Sequence, residues 1–279
     1  MLKDTRIVFI GAGAMGGAMI TGLLSRKLVA PDQIVAADPH EEITVRLHEK
    51  HGIDVTVDNV AACEDADIIV LSVKPQVLPR VLSGLAGHVP SDALVISIVA
   101  GASISSIADG LQQGVVVRSM PNTPAQIGAG ITVWTESDAV SASQHQQAET
   151  VLQALGRAIF VDDEDYLDMA TAISGTGPSY VFLFMEALVD AGVHMGFSRK
   201  VAEELVHHTV KGSAEFVLQS PQHLARLRDQ VTSPGGTSAE ALYYLEKAGF
   251  RTAISRAVWA AYQRSIELGS VGKRNPLDR

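Results

Sequence analysis

A glycine-rich turn between an apolar run and a helix-like segment, near the start of the chain, most constrains the fold. Residues 7–10 form a continuous apolar run, which is typical of a strand buried on both faces. Residues 11–16, the Gly loop, follow the pattern G-x-G-x-x-G and lead into a helix-like segment from about Ala14 to Ser25. This context favours dinucleotide binding over a plain turn, because the three glycines permit a tight turn, a close approach to a pyrophosphate and close helix packing. The predicted cofactor contacts here are Gly11, Ala12, Gly13, Ala14, Met15 and Gly16.

Strand-like and helix-like segments alternate as far as residue 160. Further apolar runs predict strands at residues 34–37, 68–73, 93–99, 115–117 and 131–134. Such alternation is typical of an open, mostly parallel α/β sheet, and right-handed crossovers make a doubly wound topology the default. No convincing strand follows residue 161. We therefore predict a dinucleotide-binding domain over residues 1–163 and an all-helical domain over residues 164–279.

The segment from Tyr180 to Val189 is apolar on nearly every side. A helix of that kind is buried all round, which in so small a domain is easier to explain if a second subunit covers it. We therefore predict that the helical domain forms a homodimer. Glu186 interrupts the segment, which is too short for a bilayer span, so no membrane partner is expected.

The composition argues against several classes of function. The net charge of −9 disfavours a nucleic-acid partner, because phosphate backbones attract basic surfaces. The single cysteine, Cys63, leaves no intramolecular disulfide and no paired-thiol redox centre. The histidines are scattered, and His207 and His208 are adjacent and cannot share a helix face, so no metal site is expected. The N-terminus carries no signal-peptide pattern, and we expect a cytoplasmic protein.

Asp38 follows the second predicted strand, at the edge where a doubly wound sheet binds its ligands. A carboxylate there accepts hydrogen bonds from a free ribose 2′-hydroxyl and repels a 2′-phosphate, which favours NADH. A turn at Pro39 would instead move the carboxylate away and leave room for Asn59 or a backbone nest. Both NADH and NADPH therefore stay open as cofactors.

Three more residues follow predicted strands. Lys74 ends a strand beside the expected cofactor, although a solvated lysine before the helix-starting Pro75 is the simpler alternative. Ala100 follows the next strand and should lie near the nicotinamide. Asn122 sits in residues 118–124, which two prolines stiffen. We interpret that stretch as a loop that orients nicotinamide or substrate rather than as a plain turn.

A hydroxyl-rich segment, residues 229–238, stands out in the helical region. It carries four serine or threonine hydroxyls and two adjacent glycines, and it leads into a helix predicted at residues 239–247. Free N–H groups and hydroxyls at a helix start make an anion site that suits a carboxylate. The simpler alternative is a helix cap, which needs only one hydroxyl. We favour substrate binding.

In order and spacing, these motifs resemble the pyrroline-5-carboxylate reductase family. The resemblance spans essentially the whole chain and includes the segments at residues 11–16, 73–75, 120–124, 174–178 and 233–236. It implies a Rossmann domain followed by a helical domain that interlocks in a dimer, with dimers assembling up to decamers. It also implies reduction of a cyclic imine carboxylate, 1-pyrroline-5-carboxylate, to L-proline with NADPH or NADH.

The resemblance implies roles for individual residues. Cofactor contacts are implied for Asn59, Val73, Lys74, Ala100 and, reached across the dimer, Gln230. With the hydroxyl-rich segment, the predicted substrate contacts are Ser233, Gly236, Thr237, Ser238 and the acidic Glu164. The family usually has threonine at position 238 and often asparagine at position 230. The serine found here keeps the hydroxyl but lacks the methyl that restricts its rotamer.

The implied chemistry is hydride transfer to the imine carbon with protonation of the ring nitrogen. No His, Lys or Tyr stands out as a general acid in the hydroxyl-rich segment, so Ser238 is the candidate catalytic residue, relaying a proton through water. Two alternatives stay open. One is a β-hydroxyacid-dehydrogenase-like oxidoreductase, for which Lys211 is available. The other is a non-catalytic dinucleotide-sensing module, which would not need the hydroxyl-rich segment.

Overall fold

The computed structural model describes residues 2–270. The described strands are β1 (Ile7–Ile10), β2 (Ile34–Ala37), β3 (Asp54–Thr56), β4 (Ile68–Leu71), β5 (Leu94–Ser97), β6 (Val116–Met120), β7 (Gly130–Glu136) and β8 (Gly156–Phe160). The described α-helices are α1 (Ala14–Ser25), α2 (Glu41–His51), α3 (Asn59–Cys63), α4 (Leu78–Leu85), α5 (Ile104–Leu111), α6 (Ala142–Gln153), α7 (Asp165–Ala170), α8 (Gly177–His194), α9 (Arg199–Gln219), α10 (Leu224–Gln230), α11 (Thr237–Lys247) and α12 (Phe250–Ser270).

The eight described strands form one sheet in the order β3-β2-β1-β4-β5-β6-β7-β8. Neighbouring strands are parallel except β6 and β7, which are antiparallel. The strand order reverses between β1 and β4, and doubly wound sheets bind ligands beyond the carboxyl ends of the strands at such a reversal. The predicted fold class, a doubly wound sheet followed by helices, is confirmed.

The central strands β1, β2, β4 and β5 are buried along their whole length. Side chains of β1 alternate between two apolar layers, with Ile7 and Phe9 in one and Val8 and Ile10 in the other. Burial on both faces explains why these strands are apolar without alternation. The core therefore fixes the carboxyl end of β1, and with it the Gly loop.

The structure differs from the sequence predictions at three places in the sheet. The sequence predicts neither β3 nor β8, because both are edge strands with exposed polar residues such as Asp54 and Arg157. The predicted loop over residues 118–124 was wrong at its start. Arg118 to Met120 belong to β6, since the antiparallel neighbour β7 supplies their partners.

The internal contacts of the chain divide it into two compact units. Among the described residues, the sheet unit comprises 2–176 and 261–270, and the helical unit comprises Gly177–Ala260. α7 belongs to the sheet unit because it packs against β6 and β7. The boundary predicted between residues 163 and 164 marks the change from strands to helices instead, and it stays a prediction.

Within the helical unit, α8 packs against α9. Gly192 brings the two helices close, because a Cβ at that position would lie 3.0 Å from the Cβ of Ala202. Val189, Ala202 and Val206 form the buried cluster there. These contacts cover only one stripe of α8.

Most of the apolar surface of α8 is exposed in the single chain. Phe182 is 59% exposed and Leu183 is 67% exposed, although the sequence predicts burial on every side. α7, a π-helical stretch at Thr171–Gly175 and α8 form one continuous helical run, Asp165–His194. By length and composition alone its 30 residues could cross a membrane, and the segment that was predicted to be too short, Tyr180 to Val189, is only part of it. An apolar surface of this extent is one that another molecule covers.

Candidate functional site

The three glycines of the Gly loop meet different surroundings. Gly11 has a φ of +93°, and a Cβ there would lie 2.9 Å from the backbone of Ser72. A Cβ on Gly16 would lie 2.5 Å from the carbonyl oxygen of Gly11. A Cβ on Gly13 would meet nothing within 4 Å. The first and third glycines are therefore required by the fold itself, whereas the second leaves open space for a ligand.

Asp38 lies beyond β2 and is only 7% exposed. Its Oδ2 accepts a hydrogen bond from the backbone N–H of Ala12 at 2.9 Å, and its Oδ1 accepts one from the backbone N–H of His40 at 3.0 Å. Burial raises the pKa of Asp38, but these bonds and the imidazole of His40 outweigh it and hold the pKa below its ordinary value. Asp38 is thus an ionised carboxylate that positions the Gly loop, a function that the sequence did not indicate.

A cleft of about 530 Å³ opens beside the Gly loop, beyond the carboxyl ends of β1, β2 and β4. Gly11, Pro39, Asn59, Val73 and Arg80 are among its lining residues. The structure thus brings three predicted cofactor residues, Gly11, Asn59 and Val73, into one cleft next to Asp38. It missed Arg80, although Val77, Arg80, Val81 and Gly84 of the lining follow the i, i+3, i+4, i+7 spacing of one helix face.

The other predicted cofactor residues of the sheet unit also follow strands. Lys74 is exposed beyond β4, and Ala100 is half-buried beyond β5. Asn122 follows β6, and its Oδ1 accepts a hydrogen bond from the backbone N–H of Ile131 at 3.0 Å. The side-chain carbonyl of Asn122 therefore holds the start of β7 in place.

Glu164 is hydrogen-bonded within the sheet unit. Its Oε1 accepts a hydrogen bond from the backbone N–H of Ile104 at 2.8 Å and another from Nη1 of Arg118 at 2.8 Å. Arg118 also contacts Asp168, with Nη2 at 3.3 Å from Oδ1. No pattern in the sequence predicted this cluster, because Arg118 on β6 lies 46 residues before Glu164 and 50 before Asp168.

The hydroxyl-rich segment lies in the helical unit, where α11 begins at Thr237 after the N-cap residue Gly236. In the described structure no side chain caps α11, so the alternative of a simple hydroxyl cap is not what is found. A Cβ on Gly236 would lie 2.5 Å from Oγ of Ser233, which places that hydroxyl against the helix start. Ser238, in the first turn, is half-buried. The predicted substrate residues of this segment therefore flank the N–H groups of Thr237 and Ser238 in the first turn, and such groups attract a carboxylate.

Gln230 ends α10 within the same segment. Its side chain is exposed, and Nε2 donates a hydrogen bond to Oε1 of Gln222 at 2.7 Å. In the single chain this amide therefore binds a residue just before its own helix, and the contact across the dimer stays a prediction.

Comparison with known proteins decides the family. Residues 6–101 match a family model described as NADP oxidoreductase, coenzyme F420-dependent, and residues 164–268 match one described as pyrroline-5-carboxylate reductase dimerisation. A pyrroline-5-carboxylate reductase from Synechocystis sp. is 42% identical over 260 residues, which cover 93% of this chain and 97% of that protein. The chain belongs to the pyrroline-5-carboxylate reductase family.

Solved members of the pyrroline-5-carboxylate reductase family share the whole architecture. The structure from Coxiella burnetii is 35% identical, with a TM-score of 0.86, and the match covers 95% of this chain and 98% of that one. The structure from Plasmodium falciparum, which has NADP bound, is 33% identical, with a TM-score of 0.87 and coverage of 96% and 99%. A 3-hydroxyisobutyrate dehydrogenase from Mycobacterium tuberculosis is 18% identical with a TM-score of 0.50, a likeness of fold alone. The comparisons thus favour the reductase over the β-hydroxyacid-dehydrogenase alternative.

Proposed function

We propose that this chain reduces 1-pyrroline-5-carboxylate to L-proline with NADPH or NADH. One chain combines a dinucleotide cleft with a hydroxyl-bearing, uncapped helix start, in a family whose curated members are named for this reductase. That combination carries the proposal. A dinucleotide-sensing module would need the cleft but not the helix start.

The cleft fits a nicotinamide dinucleotide, which when bound supplies the hydride. The open space at Gly13 admits the pyrophosphate, and the N–H groups of the first turn of α1, including those of Ala14 and Met15, bind its negative charge. Asp38 and Arg80 place opposite charges at the adenosine end, where the 2′-substituent distinguishes the two cofactors. The other proposed contacts are Gly11, Ala12, Gly16, Asn59, Val73, Lys74, Ala100 and Asn122, with Gln230 reaching across the dimer.

The substrate is proposed to bind at the start of α11. Its carboxylate suits the N–H groups of Thr237 and Ser238, next to Gly236, with the hydroxyls of Ser233 and Thr237, because a helix N-terminus carries partial positive charge. Glu164 is proposed as a further substrate contact through Oε2, since both hydrogen bonds described above fall on Oε1. Orienting the imine in this way is proposed to be the protein's main contribution to catalysis.

Protonation of the imine nitrogen is assigned to Ser238. Its hydroxyl lies in the first turn of α11, one residue beyond Thr237 and the proposed carboxylate site. A serine hydroxyl is too weak an acid to protonate the imine alone, so it relays a proton from water to the nitrogen as hydride adds to the carbon. The nitrogen gains the proton and the carbon gains the hydride, which gives the saturated ring.

The working unit is proposed to be a homodimer formed through the helical unit, with dimers further assembled as a decamer. The exposed apolar surface of α8 supports a second copy as its cover, and residues 164–268 match a dimerisation model. Cover by a second copy also accounts for the apolar run 165–194 without a membrane. With its net charge of −9, we propose a cytoplasmic protein that binds neither nucleic acid nor membranes.

A steady-state assay tests the proposal. Purified protein should oxidise NADPH, NADH or both only when 1-pyrroline-5-carboxylate is present, with L-proline as the product. Omitting the imine is the matched control. Tight cofactor binding without imine-dependent oxidation would refute the reductase and favour the dinucleotide sensor.

A further inference from the structure

A buried arginine joins α7 to the sheet near the proposed nicotinamide end of the cofactor site. Arg118 lies on β6, and its side chain is 7% exposed. Nη1 contacts Oε1 of Glu164 at 2.8 Å, and Nη2 contacts Oδ1 of Asp168 at 3.3 Å. Because a guanidinium presents its donors in a rigid fork, this one group sets the relative positions of both carboxylates.

Each carboxylate carries a second hydrogen bond. Oε1 of Glu164 also accepts the backbone N–H of Ile104, the first residue of α5, at 2.8 Å. Oδ1 of Asp168 also accepts the hydroxyl of Ser265 at 2.6 Å. Ser265 lies on α12 and is 3% exposed. The network centred on Arg118 therefore extends from the start of α5 to the last part of α12.

The end of α12 reaches the segment before α5 by a second route. Gly101 lies between β5 and α5 with a φ of +75°, and a Cβ there would lie 3.1 Å from the backbone nitrogen of Gly269. A Cβ on Gly269 would lie 2.9 Å from the carbonyl oxygen of Gly101. Ser265 and Gly269 are four residues apart on α12, hence neighbours on one face. Residues 98–103 are thus held at their C-terminal end, where Glu164 binds the next residue, Ile104, and at Gly101, which packs against α12.

We propose that Arg118 is a positioning residue that, through Glu164 and Asp168, fixes residues 98–103 for the nicotinamide half of the cofactor. This inference rests on the proposed function. In the sheet, β5 and β2 lie on opposite sides of β1 and β4. Since the adenosine half binds on the β2 side, the segment after β5 is left for the nicotinamide half. Arg118, Asp168 and Ser265 act without touching the cofactor.

Two ligands separate this role from a merely structural one. NADPH probes the whole site, and ADP probes the adenosine end alone. Ser265→Ala removes the hydroxyl from Asp168, Ser265→Thr keeps one, and Ser255→Ala is the control at an exposed position of the same helix. Ser265→Ala should raise the Kd for NADPH by about fivefold, because it removes a hydrogen bond to a charged group, and leave the Kd for ADP unchanged. Ser265→Thr and Ser255→Ala should match the wild type.

Arg118→Lys should weaken NADPH binding more than Ser265→Ala does, again without changing the Kd for ADP. One ammonium cannot bridge both carboxylates as the guanidinium does. Should that variant fail to fold, the Kd values of Ser265→Ala and Ser265→Thr test the inference instead. Equal weakening of NADPH and ADP binding, or a lower Tm with an unchanged Kd for NADPH, would overturn the inference. Wild-type protein that binds both ligands but does not reduce the imine would refute the proposed function and leave this binding test intact.

Discussion

Oδ2 of Asp38 lies 2.9 Å from the backbone nitrogen of Ala12, so the end of β2 holds the first N–H after Gly11. The neighbouring N–H of Gly11 donates to the carbonyl oxygen of Ala37 at 2.8 Å. The Gly loop is therefore fixed from the β2 side before any cofactor binds. The same carboxylate places a negative charge beside the cleft, at the end that we propose for the adenosine half of the cofactor.

That charge should set the preference between the two cofactors. Asp38→Asn keeps an oxygen that can accept the N–H of Ala12 but removes the repulsion of a 2′-phosphate. We expect the ratio of kcat/KM for NADPH to that for NADH to rise roughly tenfold, because removing one close charge–charge repulsion changes the binding free energy by an amount of that order. Asp138→Asn, at an exposed turn, is the control. An unchanged ratio in Asp38→Asn would show that Asp38 does not select the cofactor.

The lowered pKa of Asp38 also predicts a pH dependence of stability. A carboxylate with a pKa below its unfolded value stabilises the fold fully above the unfolded pKa, and the contribution is lost as pH falls through the folded pKa. The difference in free energy of unfolding between wild type and Asp38→Asn should therefore be constant above about pH 4 and shrink below it. Urea unfolding across this range measures it. A difference that grew on acidification would contradict the assignment.

Alanine at two glycines of the Gly loop should affect different properties, cofactor binding in one case and stability in the other. Gly13→Ala meets open space in the free protein, so its Tm should stay close to the wild-type value while the Kd for the cofactor rises at least roughly tenfold. Gly16→Ala drives a Cβ into the carbonyl of Gly11 and should cost about 1–3 kcal/mol of stability. Thermal unfolding and cofactor titration of both variants check this. Equal loss of stability would refute the division of roles.

Removal of the Ser238 hydroxyl should affect catalysis more than binding of the cofactor. Ser238→Ala is expected to lower kcat/KM for the imine by roughly 10²-fold, with an unchanged Kd for the dinucleotide. Ser238→Thr, which restores the residue usual in the family, is the matched control and should retain activity. An alanine variant with wild-type kcat/KM would eliminate Ser238 as the proton relay.

A charge on the exposed face of α8 should separate the subunits. Leu183→Glu places a carboxylate on a surface that we propose is buried in the dimer, where an unpaired charge is costly. Light scattering coupled to gel filtration should then report a smaller species than the wild type. Ile127→Glu, 83% exposed in the sheet unit, is the control and should not change the mass. Unchanged assembly of Leu183→Glu would place the interface elsewhere.

The central strands were predictable because burial on both faces leaves uninterrupted apolar runs, as in β1 and β4. β3 and β8 lack that signal because they are edge strands with exposed residues. The exposure of Phe182 was not predictable either, since the sequence reports that a side chain is apolar and not which molecule covers it.

The positions of the cofactor residues were predictable because parallel strands deliver their carboxyl ends to one edge of the sheet. The contacts made by those residues were not. The bond between Asp38 and Ala12 spans 26 residues, and that between Asp168 and Ser265 spans 97. Contacts between residues so far apart leave no periodic pattern in the sequence, and Arg118 was therefore predicted to lie in a loop.

The last described helix contributes to both compact units, because α12 runs from Phe250 to Ser270 and the sheet unit resumes at Ala261. The nucleotide-binding half of the protein is therefore discontinuous along the chain. During synthesis, its strands emerge long before the Ser265 hydroxyl and the Gly269 backbone that support the segment after β5. A fragment ending at residue 163 would also lack Glu164, and its cofactor site would be left without that support however well its sheet formed.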